Sequence, residues 1–247
     1  MFSTEPITGA DLPDGHLVLT YDDGPGPNTL AVAEYLAEMG IEATFFVVGE
    51  SIERLPKVPA QVRALGHRLG NHTWTHYYGG LTAQLEDGGD IVDEMRRTAA
   101  LLDGGGDGDA GGGAEPLTFR PPYGAWSPQV AAALNADPPL TARHVGPFNW
   151  AIHHPDWAAW RDGVDPATVA TRFRVEANAK RKGIVLLHDY TAEAHRRPEP
   201  EFRIMAERNR SAELTRALVP MLMADGFRFV PLIGRFGVDR PRAAARG

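Results

Sequence analysis

The 247-residue chain contains no cysteine, which removes disulfides, thiolate nucleophiles and every sulfur-ligated metal site. It also lacks any uncharged apolar run of the roughly 20 residues that a membrane-spanning helix needs, so no membrane insertion is expected. Positive charge is in the minority, with 25 Lys and Arg against 32 Asp and Glu and a net charge of −7. That balance argues against general attraction to a nucleic-acid backbone or an anionic membrane surface. Residues 1–6 hold no basic cluster ahead of an apolar stretch; they do not read as a secretory signal, and a cytoplasmic protein is expected. The remainder is 43% hydrophobic and 23% charged, an ordinary composition for a folding chain. With no linker in view and a length near the upper size for one hydrophobic core, a single domain over 1–247 is expected.

Short β-like runs alternate with helix-like runs. Strands are expected over 16–21, 41–48, 67–71, 117–119, 144–150, 183–188 and 227–232. A helix follows Asn28 as its cap, with Leu30, Ala33, Leu36 and Ala37 on one face and Gly40 at its end. Another lies near 60–65, and a third places Ile91, Met95, Thr98 and Leu102 on one face. The alternation predicts an α/β fold, a distorted and incomplete (β/α) barrel of about seven parallel strands. Residues 103–113 are nearly all Gly, Asp and Ala, a surface-loop composition; a phosphate-cradling loop would need a following Lys and Ser/Thr, and these aspartates would repel phosphate.

In a barrel of βα units, reactive residues collect at the carboxyl ends of the strands. Asp22 and Asp23 end the first strand before a Gly24-Pro25 turn, so one carboxylate can face a metal and the other a water, although a solvated Asp–Asp turn is the plainer reading. His72 and His76 are four positions apart, which lets both imidazoles reach one cation from a single helical turn. Two histidines and a carboxylate leave room for water and substrate, as catalytic zinc requires, and the same set serves non-haem iron oxygenases. The run Arg120-Pro121-Pro122-Tyr123-Gly124 supplies a rigid turn, a permanent charge and a Tyr123 backbone N–H that can aim at an oxyanion. His188 ends an apolar strand, as a general acid or as a merely solvated imidazole.

In this order, and all at strand ends, these segments resemble the polysaccharide deacetylase family, the NodB homology domains of carbohydrate esterase family 4, over residues 16–232. By that resemblance Asp22 is the general base, held by Arg120, and Asp23, His72 and His76 are the metal ligands. The Tyr123 backbone amide helps to stabilise the oxyanion, His188 is the general acid, and Leu186 lines the acetyl pocket. Tyr123, Trp157 and Leu186 are the substrate contacts. The segment from Trp150 to Trp157 departs from the family pattern, with His153 at an acidic position, while Asp156 keeps the role of orienting and charging His188. The neighbouring His154 is an additional ligand candidate.

The resemblance implies a metal-dependent hydrolase that removes an N-acetyl, or an O-acetyl, group from a carbohydrate. An N-acetylglucosamine-containing oligosaccharide or glycoconjugate is the expected substrate and Zn²⁺ the expected metal, with Co²⁺, Ni²⁺ or Fe²⁺ as alternatives. A deacetylase of a small N-acetyl sugar or amide, and a saccharide-binding relative without activity, are the competing readings. An iron oxygenase conflicts with the βα alternation. Residues 190–210, with His195, Arg196, Arg197, Glu199 and Glu201, read either as a substrate-specific lid or as a solvated loop.

Overall fold

A computed structural model describes residues 1–104 and 116–232. Its strands are β1 (His16–Asp22), β2 (Thr44–Val47), β3 (Arg68–Asn71), β4 (Leu117–Phe119), β5 (His144–Val145), β6 (Ile152–His153), β7 (Gly183–His188) and β8 (Arg228–Phe229). Seven form one parallel path in the order β5-β4-β3-β2-β1-β7-β6, and β8 pairs with the start of β1. The path is not closed, which is the incomplete barrel expected from the βα alternation. Among the described residues no helix is long and apolar enough to cross a membrane.

The two-residue period of the strands divides the protein into an outer apolar layer and an inner chemical one. Leu17, Leu19 and Tyr21 of β1 pack with Val185 and Leu187 of β7 into the large core shared with the helices Thr29–Glu38, Pro166–Lys180 and Ser211–Ala224. The intervening residues turn the other way: Val18, Phe46 and Ile184 join Leu12, Phe148 and Leu232 in a smaller inner cluster. Thr20 and Asp22 therefore face inward, as do Leu186 and His188, and the parallel register sets Asp22 beside His188. Burying each Leu, Val or Phe of the outer layer is worth about 1.5–3 kcal/mol, so a one-residue slip that turned this layer inward would cost far more than any single polar contact returns.

Of the expected strand over 144–150 only the first two residues form one, β5, and the next strand, β6, begins at Ile152, past that range and at the opposite end of the sheet. β5 pairs with β4, while β6 pairs with β7. Pro147 has no N–H to give to a ladder, and the chain leaves the β4 edge at Gly146-Pro147. It then crosses the open side, donating from Phe148 to the Phe119 carbonyl (2.9 Å), from Asn149 to Ile7 (2.8 Å) and from Ala151 to Ile184 (3.0 Å).

Asn28 stands at the N-cap of the helix Thr29–Glu38, but its side-chain amide donates to Asn209 instead of capping. Ile91, Met95, Thr98 and Leu102 are all buried, on the helix Ile91–Gly104. That helix takes in Asp103 and Gly104; the rest of the glycine-rich loop expected over 103–113 lies outside the described residues.

Candidate active site

The residues singled out for chemistry lie at the carboxyl end of the sheet. Asp22 closes β1, and Asp23 follows in the left-handed region at φ 76°. His72 follows β3, Arg120 follows β4, and His188 is the last residue of β7. Asp22, Asp23, His72, His76, Tyr123, Trp157, Leu186 and His188 line one cavity of about 410 Å³.

His72 and His76 do not sit on a helical turn. The chain after β3 is irregular, with Thr73 at φ 68° and His76 at φ 50°. Glu94 holds this loop by accepting from the backbone N–H groups of Trp74 and Thr75 (2.9 and 2.8 Å) and from the Thr75 hydroxyl (2.8 Å). Asn71 adds a bond from the Thr73 N–H to its Oδ1 (2.9 Å). Of the five non-glycine residues with positive φ among those described, four belong to the site: Asp23, Thr73, His76 and Tyr123. Each costs of order 1–3 kcal/mol, and such a concentration persists only where surrounding bonds over-determine the backbone.

The ligand candidates converge. Nε2 of His72 and Nε2 of His76 lie 3.5 and 3.2 Å from Oδ1 of Asp23, and one ligand atom from each residue falls within 4.8 Å of the others. Oδ1 of Asp23 is buried and accepts no hydrogen bond. The Nδ1 of His72 faces the Arg120 carbonyl at 2.8 Å, which leaves its Nε2 lone pair for the centre. Burial disfavours charge on His76, yet the Asp23 and Glu193 carboxylates outweigh it and push the imidazole up to about 9. Burial likewise opposes ionisation of Asp23, but His76 and His72 hold its carboxyl far below the usual range. The field that favours a proton here equally favours a divalent cation, and an unpaired carboxylate oxygen with two imidazole nitrogens is a donor set that fits one.

Arg120 is fully buried. Its Nη1 donates to Oδ1 of Asp22 (2.6 Å) and to the Thr20 hydroxyl (2.8 Å), while Nε and Nη2 reach the carbonyls of Phe148 and Asn149, each at 3.2 Å. The strand-crossing segment thus supplies two of the acceptors that aim the guanidinium. The second oxygen of Asp22 lies 3.6 Å from His72 Nε2. On the opposite side, Nδ1 of His188 meets Oδ1 of Asp156 at 2.7 Å, and Oδ2 of Asp156 accepts the His188 backbone N–H at 2.9 Å. Burial alone would lower the His188 pKa, but the Asp156 charge and hydrogen bond reverse this and raise it to about 10. Asp189, next in sequence, is buried beneath the Asp22-Asp23 turn with the Thr29 hydroxyl on its carboxylate, and burial pushes it up to about 7.

His153 is exposed at the cavity wall beside Trp150, and its backbone N–H donates to Glu176. His154 accepts from Arg172 at 3.0 Å and is not part of the metal-competent cluster found among the described residues. The segment after β7 walls the cavity through Thr191, Glu193, Glu201, Phe202 and Met205. Of its charged residues named from the sequence, Glu201 lines the cavity, whereas Arg196 pairs with Glu50 and Arg197 with Glu199. Glu193 carried no sequence signal beyond being a carboxylate five residues past a strand end, yet it touches both His76 and Tyr123.

Residues 9–138 match the polysaccharide deacetylase family. The chitooligosaccharide deacetylase of Azorhizobium caulinodans is 32% identical over 224 residues, covering 87% of this chain and 92% of that one. A peptidoglycan-N-acetylglucosamine deacetylase of Bacillus cereus is 30% identical over 217 residues, covering 87% and 84%. Among solved structures, the family 4 acetyl xylan esterase from Clostridium thermocellum, in complex with a cobalt ion, superposes with a TM-score of 0.60 at 26% identity, covering 87% of each chain. With the motifs in family order at the strand ends and the family match extending over more than half its length, this chain belongs to the polysaccharide deacetylase family.

Proposed function

We propose that the protein is a metal-dependent deacetylase that hydrolyses the N-acetyl group of an N-acetylglucosamine-containing oligosaccharide or glycoconjugate. One observation carries this reading: a base candidate (Asp22), an acid candidate (His188) and a three-residue metal-competent cluster share one cavity, each held by its own buried partner. Relatives named for deacetylating chitooligosaccharide and peptidoglycan N-acetylglucosamine supply the substrate class. Asp23, His72 and His76 would hold the metal; Zn²⁺ is proposed, and Co²⁺ is the ion bound by the acetyl xylan esterase relative.

Hydrolysis of an unactivated amide needs an activated water, a stabilised oxyanion and a proton for the departing amine. The metal, when bound, supplies Lewis-acid polarisation of the carbonyl and brings the pKa of bound water toward about 7. Asp22, with one oxygen fixed by Arg120, presents the other to take the proton of the attacking water. The Tyr123 backbone N–H, on the turn Pro122–Gly124 at the cavity wall, donates to the developing oxyanion. His188 has its Nδ1 occupied by Asp156, so its Nε2 carries the proton given to the leaving nitrogen. Leu186, two residues before His188 on the same inward face, offers an apolar wall to the acetyl methyl. The exposed rings of Trp157 and Tyr123 give flat apolar faces for a sugar ring.

The test is a screen for released acetate across N-acetylated oligosaccharides, polymers and nucleotide sugars, with Zn²⁺ or Co²⁺ added. The wall of Glu201, Phe202 and Met205 on one side of the cavity favours short N-acetylated oligosaccharides, which should release acetate faster than insoluble polymer. No acetate from any of them would remove the reading.

A pH profile tests the acid. Because Asp156 raises His188 to about 10, the imidazolium keeps its proton through neutrality, and activity should fall only as pH climbs towards that value. In Asp156→Asn the largest influence opposing burial is gone and only the Asp23 and Asp22 charges still favour the imidazolium, so the alkaline limb of kcat/KM is expected to move down by roughly a unit or more. An unmoved limb would show that another group donates the proton, with His153 the next candidate.

A further inference from the structure

We propose that Glu193 is a positioning residue of the metal centre, a single carboxylate that fixes His76 and Tyr123 against each other. The inference rests on the metal-hydrolase reading above. Oε1 of Glu193 lies 2.9 Å from Nδ1 of His76, an ion-pair contact out of line for a hydrogen bond, and the same oxygen accepts the Tyr123 hydroxyl. The side chain is 9% exposed, and a carboxylate so buried has to be matched by donors. Its two partners, one an ion pair and one a hydroxyl donor, come from different strand ends, the loop after β3 and the turn after β4.

The turn that carries Glu193, Ala192–His195, is itself tied to the centre. The Ala192 N–H points at Oδ2 of Asp23 (3.4 Å), and the N–H groups of Arg196 and Arg197 close on the Glu193 carbonyl, each at 3.0 Å. One turn therefore touches Asp23, His76 and Tyr123. Both partners of Glu193 have left-handed backbones, at φ 50° and 58°, and their rings stand 4.8 Å apart. The clamp also explains a difference between the two imidazoles. His72 rests its Nδ1 on a backbone carbonyl, which any sequence provides; His76 depends on a side chain. The negative charge of Glu193 beside Nδ1 favours the proton on that nitrogen, and Nε2 is left for the Asp23 side of the site.

The experiment measures Co²⁺ affinity of the full chain, read by visible absorption in competition with a chelator. Glu193→Ala is expected to bind Co²⁺ about 10–100-fold more weakly. Glu193→Gln retains an oxygen acceptor of the same reach and should recover most of the loss. Glu193→Asp keeps the charge but is one methylene too short for both partners, so it should weaken Co²⁺ binding as Ala does, and it serves if the Ala variant does not fold. At saturating Co²⁺, Tyr123→Phe should lower kcat more than it alters KM while binding Co²⁺ like the unsubstituted chain. Unchanged Co²⁺ affinity in both Glu193→Ala and Glu193→Asp, or a Gln variant no better than Ala, overturns the proposal. His76→Ala separates the two levels: if it loses Co²⁺ and the Glu193 variants do not, the role of Glu193 fails alone. If it too keeps full affinity, the metal-centre reading fails.

Discussion

Asp22→Asn is expected to lower kcat for acetate release by at least about a hundredfold while leaving metal content and KM close to those of the unsubstituted enzyme. An amide cannot take a proton from water at neutral pH, whereas its oxygen still accepts the Arg120 Nη1 bond that Oδ1 of Asp22 now accepts at 2.6 Å. The guanidinium also retains the Thr20 hydroxyl and the carbonyls of Phe148 and Asn149, so its planar fork stays aimed. Its charge, however, loses a buried counter-charge, and removing one member of such a pair costs up to about 3–5 kcal/mol. A lowered melting temperature should therefore accompany the kinetic defect. The two effects are separable by measuring kcat well below the melting range. A variant that keeps more than a tenth of kcat would mean that Asp22 is not the base.

His72→Ala should be as damaging by a different route. It leaves Asp23 and His76, two protein donors, which is too few to retain a divalent cation against dilution. Elemental analysis of the purified variant should find far less than one metal per chain. Activity should fall by about a thousandfold, the equivalent of several kcal/mol of lost polarisation. Because a bound cation would offset the repulsion between Asp22, Asp23 and Glu193, added Zn²⁺ should stabilise the unsubstituted protein against heating and leave the variant almost unaffected. Full metal occupancy in His72→Ala, by elemental analysis, would remove that residue from the ligand set.

Much of this arrangement was legible before any coordinates, and the reasons are local. β1 and β7 announce themselves by apolar runs whose last residues are Asp22 and His188, because a strand buried on both faces has to end where polarity begins. Asp23 was legible beside Asp22 at the end of β1, His72 and His76 from their spacing of four, and Arg120 from the Pro-Pro-Tyr-Gly run behind it. Three things were hidden. The pattern over 144–150 looks like one strand, since period alone cannot tell a strand that continues from one that ends at Val145, just before Gly146-Pro147, with the next strand only at Ile152 across the sheet. The histidine pair suggested a helical turn, since a spacing of four fits that geometry, but positive φ at Thr73 and His76 comes from bonds to Asn71 and Glu94, which no local rule reveals. Glu193 was hidden for the same reason: its meaning lies wholly in what it touches.

The pairing of Asp22 with His188 across β1 and β7 has a consequence for how faults in this protein can arise. Both strands alternate, so misassembly by one residue would turn Asp22 and His188 into the helix-facing oil and bring Tyr21 and Leu187 into the cavity. Such a chain would have two stranded ionisable groups and no packed outer layer. It would fail to fold before it could fail to react. Spatial error at the site is thereby converted into instability, which a cell's proteases can detect, and a folded molecule carries Asp22 and His188 correctly placed as a condition of being folded at all.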